Sequence, residues 1–356
     1  MPPGETIRRE LEARGWTQKE LAEIMDRPEQ AISEIIAGKK EITSDTAIEL
    51  AQAFGTSAEF WSNLEANYRL WLALRDPKAD TIDRRARLYA LAPVREIKRK
   101  GWIGDTNNID KLEEEVKAFL EIKSLDERPK CAVALRRSSY GVPEERALMA
   151  WVKRVEHLVR PEKVGDFHRA ALEKAIPGLL ELSTELQSMA EVPHFLLELG
   201  IRFAIVPHLE GTHLDGGVLR PGGNPVVAIT LRYDRVDSFW FTLMHELAHL
   251  VLGHKGAFLD TIFDREGSVG REEASADRMA QNWLVDARKY RSFVERTRPD
   301  FSGKEIREFA LSVQRHPAIV LGRLQFDGEV PWNRLRSLHE KVKPVLHRYY
   351  DRPIAA

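Results

Sequence analysis

One helix-length stretch constrains this chain more than any other. Phe241-Thr-Leu-Met-His-Glu-Leu-Ala-His-Leu-Val-Leu-Gly-His254 places two imidazoles and a carboxylate among leucine, methionine and alanine. Phe241, Ala248 and Leu252 flank the histidines, while Trp240, Met244, Leu247 and Val251 fill the adjoining stripe. The pattern predicts a helix with no freely solvated face. Burying such polar groups is costly unless something compensates them. His245 and His249 lie one turn apart on one face, so both rings can reach a single cation, and Glu246 projects beside them. The spacing suits tetrahedral zinc.

Two histidines need a further ligand. His254 is near, but the elongated metzincin motif needs Gly and His where this chain has Leu252 and Lys255, so His254 beside Gly253 reads as a helix-end or surface imidazole. Downstream, Arg271 to Asp286 predicts a second helix whose apolar stripe runs through Ala276, Met279, Ala280, Trp283 and Leu284. Glu273 and Asp277 extend that same face. A glutamate ligand, with an aspartate one turn later accepting from the far nitrogen of a ligand histidine, meets the needs of both carboxylates.

Composition narrows the setting. At 356 residues and 43% hydrophobic content, the chain can bury more than one core. Its 54 Lys+Arg against 55 Asp+Glu leave a net charge of -1, so whole-chain electrostatics advertises neither nucleic acid nor membrane. The single cysteine, Cys131, excludes an intrachain disulfide framework and leaves histidines and carboxylates to build any metal site. The charged start, with no apolar run of about 18 residues, predicts a cytoplasmic protein without a membrane span.

Four segments are expected. Residues 1–75 read as a compact all-α unit, with capping boxes at Thr17–Glu20, Asp26–Glu29 and Thr56–Glu59. Residues 76–195 read as a helical connecting region, with a basic stretch at 84–100 carrying seven Arg/Lys against Glu96. From about 200 the period shortens: "IRFAIVPHL" and "NPVVAITLR", with "RPGGNP" as a turn, predict a small antiparallel sheet before helices resume. Residues 196–340 thus form an α+β domain, and 341–356 a C-terminal tail. The strand "NPVVAITL" is a candidate to receive an extended peptide by strand addition. His316 is a candidate oxyanion donor, equally explained as a helix start at His-Pro.

Within the first segment, "TQKELAEIMDRPEQAISEIIAGKK" has the helix-turn-helix pattern. Ile32, Ile35 and Ile36 face inward; Glu29, Gln30, Ser33 and Glu34 face outward, where base edges would be read, and Lys39 and Lys40 could meet phosphates. Residues 1–75 hold nine Arg/Lys against thirteen Asp/Glu, which limits phosphate attraction and keeps a role in toxin or repressor recognition open.

Two resemblances follow. The segment with "GTSAEFWSNLEANYRLWL" resembles XRE-type repressors and HigA-type antitoxins. "RYDRVDSFWFTLMHELAHLVLGH", Glu273 to Asp277, and "HPAIVLGRLQFDGEVPWNRL" together resemble the ImmA/IrrE zinc metallopeptidases. That likeness implies a gluzincin-like domain with one zinc ion per chain, held by His245, His249 and Glu273, with Glu246 as general base and Asp277 behind the ligands. Ser275-Ala276-Asp277 and Ala248 depart from the common family pattern and leave the ligand positions intact. The expectation is a multidomain, mainly α protein: a zinc-dependent endopeptidase fused to a DNA-binding module, cleaving a protein such as a transcriptional repressor. The alternative is a HigA-like regulator that binds operator DNA and a toxin, as a possible homodimer, with a non-catalytic metal site.

Overall fold

The computed structural model describes residues 2–75, 77–130, 142–220, 223–254, 258–259 and 267–354; Cys131 and part of the "RPGGNP" turn lie outside them. The chain divides into two compact units, Met1–Arg87 and Leu88–Ala356.

The first unit contains α1 (Pro3–Arg14), α2 (Gln18–Ile24), α3 (Glu29–Ile36), α4 (Ser44–Phe54) and α5 (Ala58–Ala73), and the unit boundary falls within α6 (Pro77–Leu91). Leu21, Ile32, Ile35, Leu50, Phe54 and Trp61 meet in its core. The Thr17–Glu20 capping box is formed, the hydroxyl accepting from the Glu20 amide while Glu20 takes the Thr17 amide. The other two boxes are corrected. Asp26 is a left-handed turn residue at φ 48°, Pro28 takes the N-cap position of α3 without a side-chain bond, and Ser57, not Thr56, caps α5. Thr56 instead accepts from the Trp61 indole at 2.7 Å. A bidentate Arg27–Glu49 pair ties the α2–α3 turn to α4.

In the second unit, α7 (Val94–Arg99), α8 (Ile109–Leu120), α9 (Val142–Val159), α10 (Arg169–Glu181) and α11 (Val192–Glu198) precede the sheet. Strands β1 (Arg202–Ile205), β2 (Gly216–Leu219), β3 (Val226–Ile229) and β4 (Phe258–Leu259) are ordered β1-β3-β2-β4. The sheet is mixed, which corrects the antiparallel expectation: β2 and β3 pair antiparallel, but β1 lies parallel to β3. The chain leaves β1, crosses to β2, and returns so that β3 inserts between them. The short apolar runs were legible locally; strand order depends on pairing that no local pattern states.

The sheet separates two cores. Phe203, Ile205, Val218, Val227 and Ile229 face one, with α10, α11 and the later helices; Ala204, Val206, Leu219, Val226 and Ala228 face the other, with α8 and α9. Described residues of 88–195 and of 341–354 contribute side chains to these two cores. Tyr350 bridges to Ile205 at the β1 edge, and Asp351 accepts from Trp102 and Arg154. The basic stretch is partly consumed internally as well: Arg99 pairs with Glu210 and Lys98 with Asp105.

The remaining helices are α12 (Val236–Leu252), α13 (Gly267–Leu284), α14 (Ala287–Thr297), α15 (Gly303–Ser312), α16 (Pro317–Phe326) and α17 (Lys343–Leu346). From Val236 to Val251 only Ser238 and Phe241 escape full burial, and α12 packs against α13, α16 and the sheet. Among the described residues, no helix is long and apolar enough to cross a membrane.

Candidate metal centre

Helices α12 and α13 run antiparallel, and their facing turns bring four side chains together: His249 meets Glu273, and one turn along His245 meets Asp277. His245 and His249 are 2% and 1% exposed. Their Nε2 atoms lie 3.0 Å apart; Glu273 Oε2 is 3.0 Å from the first and Oε1 is 3.5 Å from the second. Among the described residues this is the one group of three or more His, Cys, Asp or Glu whose donor atoms lie close enough to hold a metal ion, within 4.8 Å of one another.

Proton bookkeeping around the rings tests whether the set fits a cation. His245 Nδ1 is 2.9 Å from Asp277 Oδ1, a carboxylate that can only accept, so the ring's proton sits on Nδ1. His249 Nδ1 is 3.0 Å from Nδ1 of His254, whose Nε2 is 3.3 Å from Ser275 Oγ. The Ser275 hydroxyl donates its single proton to the Glu272 carbonyl at 2.8 Å, so it accepts from His254. Burial, then the neighbouring His249, lowers the His254 pKa and keeps that ring neutral. His254 therefore accepts at Nδ1, His249 donates to it, and both facing Nε2 atoms are unprotonated.

Two lone pairs and a carboxylate converge on one point. With both ring protons held on Nδ1, the Glu273 carboxylate faces lone pairs rather than donors. Such facing lone pairs repel unless positive charge stands between them. A proton would satisfy one facing pair; a divalent cation satisfies all three donors. The donor set of two imidazoles and one carboxylate fits zinc.

Glu246 leaves α12 between the two histidines and is fully buried. It lies against β2 where Gly216 leaves room: a Cβ there would stand 3.0 Å from Glu246 Oε1 and 2.6 Å from the Thr242 methyl. His316 is placed elsewhere in the bonding network. It caps α16 by accepting from the Ala318 amide at 3.2 Å, and its other nitrogen is 3.1 Å from Glu340. Strand β3 has partners on both sides, so it cannot receive a peptide by strand addition; this corrects the expectation for "NPVVAITL".

Sequence reading missed the part played by His254. The signal was Gly253, whose φ of 72° ends α12 and turns the chain back, so the His254 amide bonds the His249 carbonyl at 3.1 Å. In the first unit, Glu29, Gln30, Ser33, Lys39 and Lys40 are exposed and Glu34 half-buried, with the Gln30 amide donating to Glu34 at 3.0 Å.

Comparison with known proteins concerns the first unit. Residues 7–61 match the helix-turn-helix family model. The chain is 35% identical over 81 residues to virulence-associated protein I of Dichelobacter nodosus, covering 22% of this chain and 75% of that protein. It is 41% identical over 69 residues to antitoxin HigA-1 of Vibrio cholerae, covering 19% of this chain and 65% of the antitoxin. The HTH-type transcriptional regulator YbaQ of Escherichia coli is 34% identical over 70 residues, 19% of this chain and 62% of its own length. The chain thus spans less than two thirds of the latter two. A solved HigA-family addiction module antidote protein from Coxiella burnetii is 33% identical, with 23% of this chain and 91% of that one covered and a TM-score of 0.22. The family match ends well before the metal centre.

Proposed function

This chain belongs to the helix-turn-helix family through its first unit, and we propose that it joins a DNA-binding module to a zinc-dependent endopeptidase that cleaves a regulatory protein, such as an XRE-type repressor. The observation carrying the peptidase half is the convergence of two tautomer-fixed imidazoles and Glu273, with the buried carboxylate of Glu246 on the same helix. Zinc held there supplies positive charge that acidifies a water and polarises a carbonyl.

The chain's own residues do the rest. Asp277 holds the His245 proton on Nδ1, and His254, backed by Ser275, does the same for His249. Glu246 is no member of the donor set, so its carboxylate remains to take a proton from water and return it to the departing amine. The protein substrate would meet the second unit, while Glu29, Gln30, Ser33 and Glu34 present donors and acceptors to operator bases. Incubating zinc-loaded protein with candidate repressors tests the proposal. Cleavage by the unmutated chain and none by Glu246→Gln supports it; equal cleavage by both contradicts it.

A second reading has its own support. Antitoxin HigA-1 is 41% identical over its matched segment, which favours a regulator that binds operator DNA and a toxin while the metal centre is structural. Retained zinc with no cleavage, and DNA binding by the intact chain, would favour that reading.

A further inference from the structure

The register that assembles the metal centre continues along the same helix pair. One turn before His245 on α12 stands Phe241, and one turn after Asp277 on α13 stands Gln281; a further turn brings Ser238 opposite Leu284. These two layers open into a cavity of about 150 Å³, closed on its far side by α16. Its apolar walls are Phe241, Leu284, Val285, Ile319, Phe326 and Trp332. The Phe241 ring is shared: its centroid lies 6.2 Å from that of His245 and 6.4 Å from that of Phe326.

Its rim sets this cavity apart from a packing fault. Phe326 and Trp332 stand at its rim 62% and 55% exposed, an arrangement that leaves large apolar surface in water unless a ligand covers it. Gly322 lies in the wall within α16, where the lack of a side chain makes room for Asp237. A Cβ there would meet the Asp237 carboxylate at 2.6 Å. The rim charges are already matched: Arg235 pairs with Asp237 and covers the Trp332 ring at 5.3 Å, and Arg323 pairs with Asp327. The charged lining residues Arg235, Asp237 and Arg323 are thus ion-paired, so among the described residues the lining holds no unpaired cation for an acidic group.

We propose that this cavity is a specificity pocket taking one uncharged, bulky aliphatic or aromatic side chain of the protein substrate beside the bond to be cut. The volume suits a single group on the order of a benzene ring. This inference rests on the peptidase reading for its role, but the pocket is testable apart from it.

The first arm uses metal-free full-length protein and a non-chelating probe. Saturation-transfer NMR compares N-acetyl-leucine amide with N-acetyl-alanine amide, in the unmutated chain and in Ser238→Leu, which fills the cavity from a half-buried position. The second arm loads zinc and compares a 2-isobutylsuccinyl hydroxamate with acetohydroxamate by calorimetry. The expected result is about tenfold or greater preference for leucine over alanine in the first arm, lost in Ser238→Leu. In the second arm the isobutyl group should improve hydroxamate binding by a similar factor. Phe326→Ala, a change at an exposed position, should weaken both preferences. No leucine preference in the first arm overturns the pocket whatever the metal does. A leucine preference without the matching hydroxamate gain, where acetohydroxamate itself binds, overturns its place beside the metal centre. Failure of acetohydroxamate to bind at all, with the leucine preference intact, overturns the peptidase reading and the specificity role with it.

Discussion

At the residue scale, the centre is a problem of where protons sit. His245 and His249 each have one nitrogen engaged behind them, and that engagement decides what the other can do. The Asp277 half was legible from the sequence because both carboxylates lie on an apolar stripe. The His254 half was not, because it depends on Gly253 reversing the chain over the side chain of His249. Replacing Ser275 with Ala removes the acceptor that fixes His254; chelator competition should then show about 10- to 100-fold weaker zinc binding with the fold retained. Unchanged affinity would mean that His254 does not orient His249. A second residue tests burial alone. Glu162 is 3% exposed, and burial, only partly offset by the Ile354 amide and Arg202, raises its pKa to about 7. A raised carboxyl favours the protonated fold, so its contribution is complete below the unfolded pKa near 4.5 and is lost as pH rises through about 7. Glu162→Gln should therefore leave stability at pH 4 nearly unchanged and raise it by about 3 kcal/mol at pH 8. Denaturant titrations at the two pH values measure this, and an equal effect at both would contradict it.

At the scale of elements, caps and periodicity fixed helices well and strand order poorly. The Thr17–Glu20 box and the inward Ile32, Ile35 and Ile36 stand where a local reading places them, since a helix start is set by the next few residues. Asp26 escaped it because a short polar side chain serves either as a cap or as a left-handed turn. The central place of β3 depends on β1, more than twenty residues earlier, pairing across it. The contact between β2 and α12 was equally invisible, as nothing near Gly216 announces Glu246. Gly216→Ala would push a methyl into Thr242 and the Glu246 carboxylate. We predict a loss of about 1–3 kcal/mol in unfolding experiments, from overpacking, together with impaired cleavage. A fully stable, fully active variant would show that the close approach has no consequence.

At the scale of the whole molecule, the two units carry different chemistries under a net charge of -1. That near-neutral total concealed the concentration of basic residues at 84–100, part of which is spent on internal ion pairs. On the proposed DNA-binding reading, operator recognition would depend on few phosphate contacts and on base reading by α3. Gln30→Ala should weaken binding to the specific operator by about 1–3 kcal/mol and leave non-specific binding unchanged, as read by fluorescence anisotropy at fixed salt. Equal losses on both DNAs would place Gln30 outside base recognition. The central claim, however, concerns the second unit, and metal stoichiometry tests it most directly. After metal-replete purification, plasma mass spectrometry should find close to one zinc per chain in the unmutated protein and in Glu246→Gln, and far less in Glu273→Ala. Zinc near zero in the unmutated protein, or equal in all three, would contradict the account.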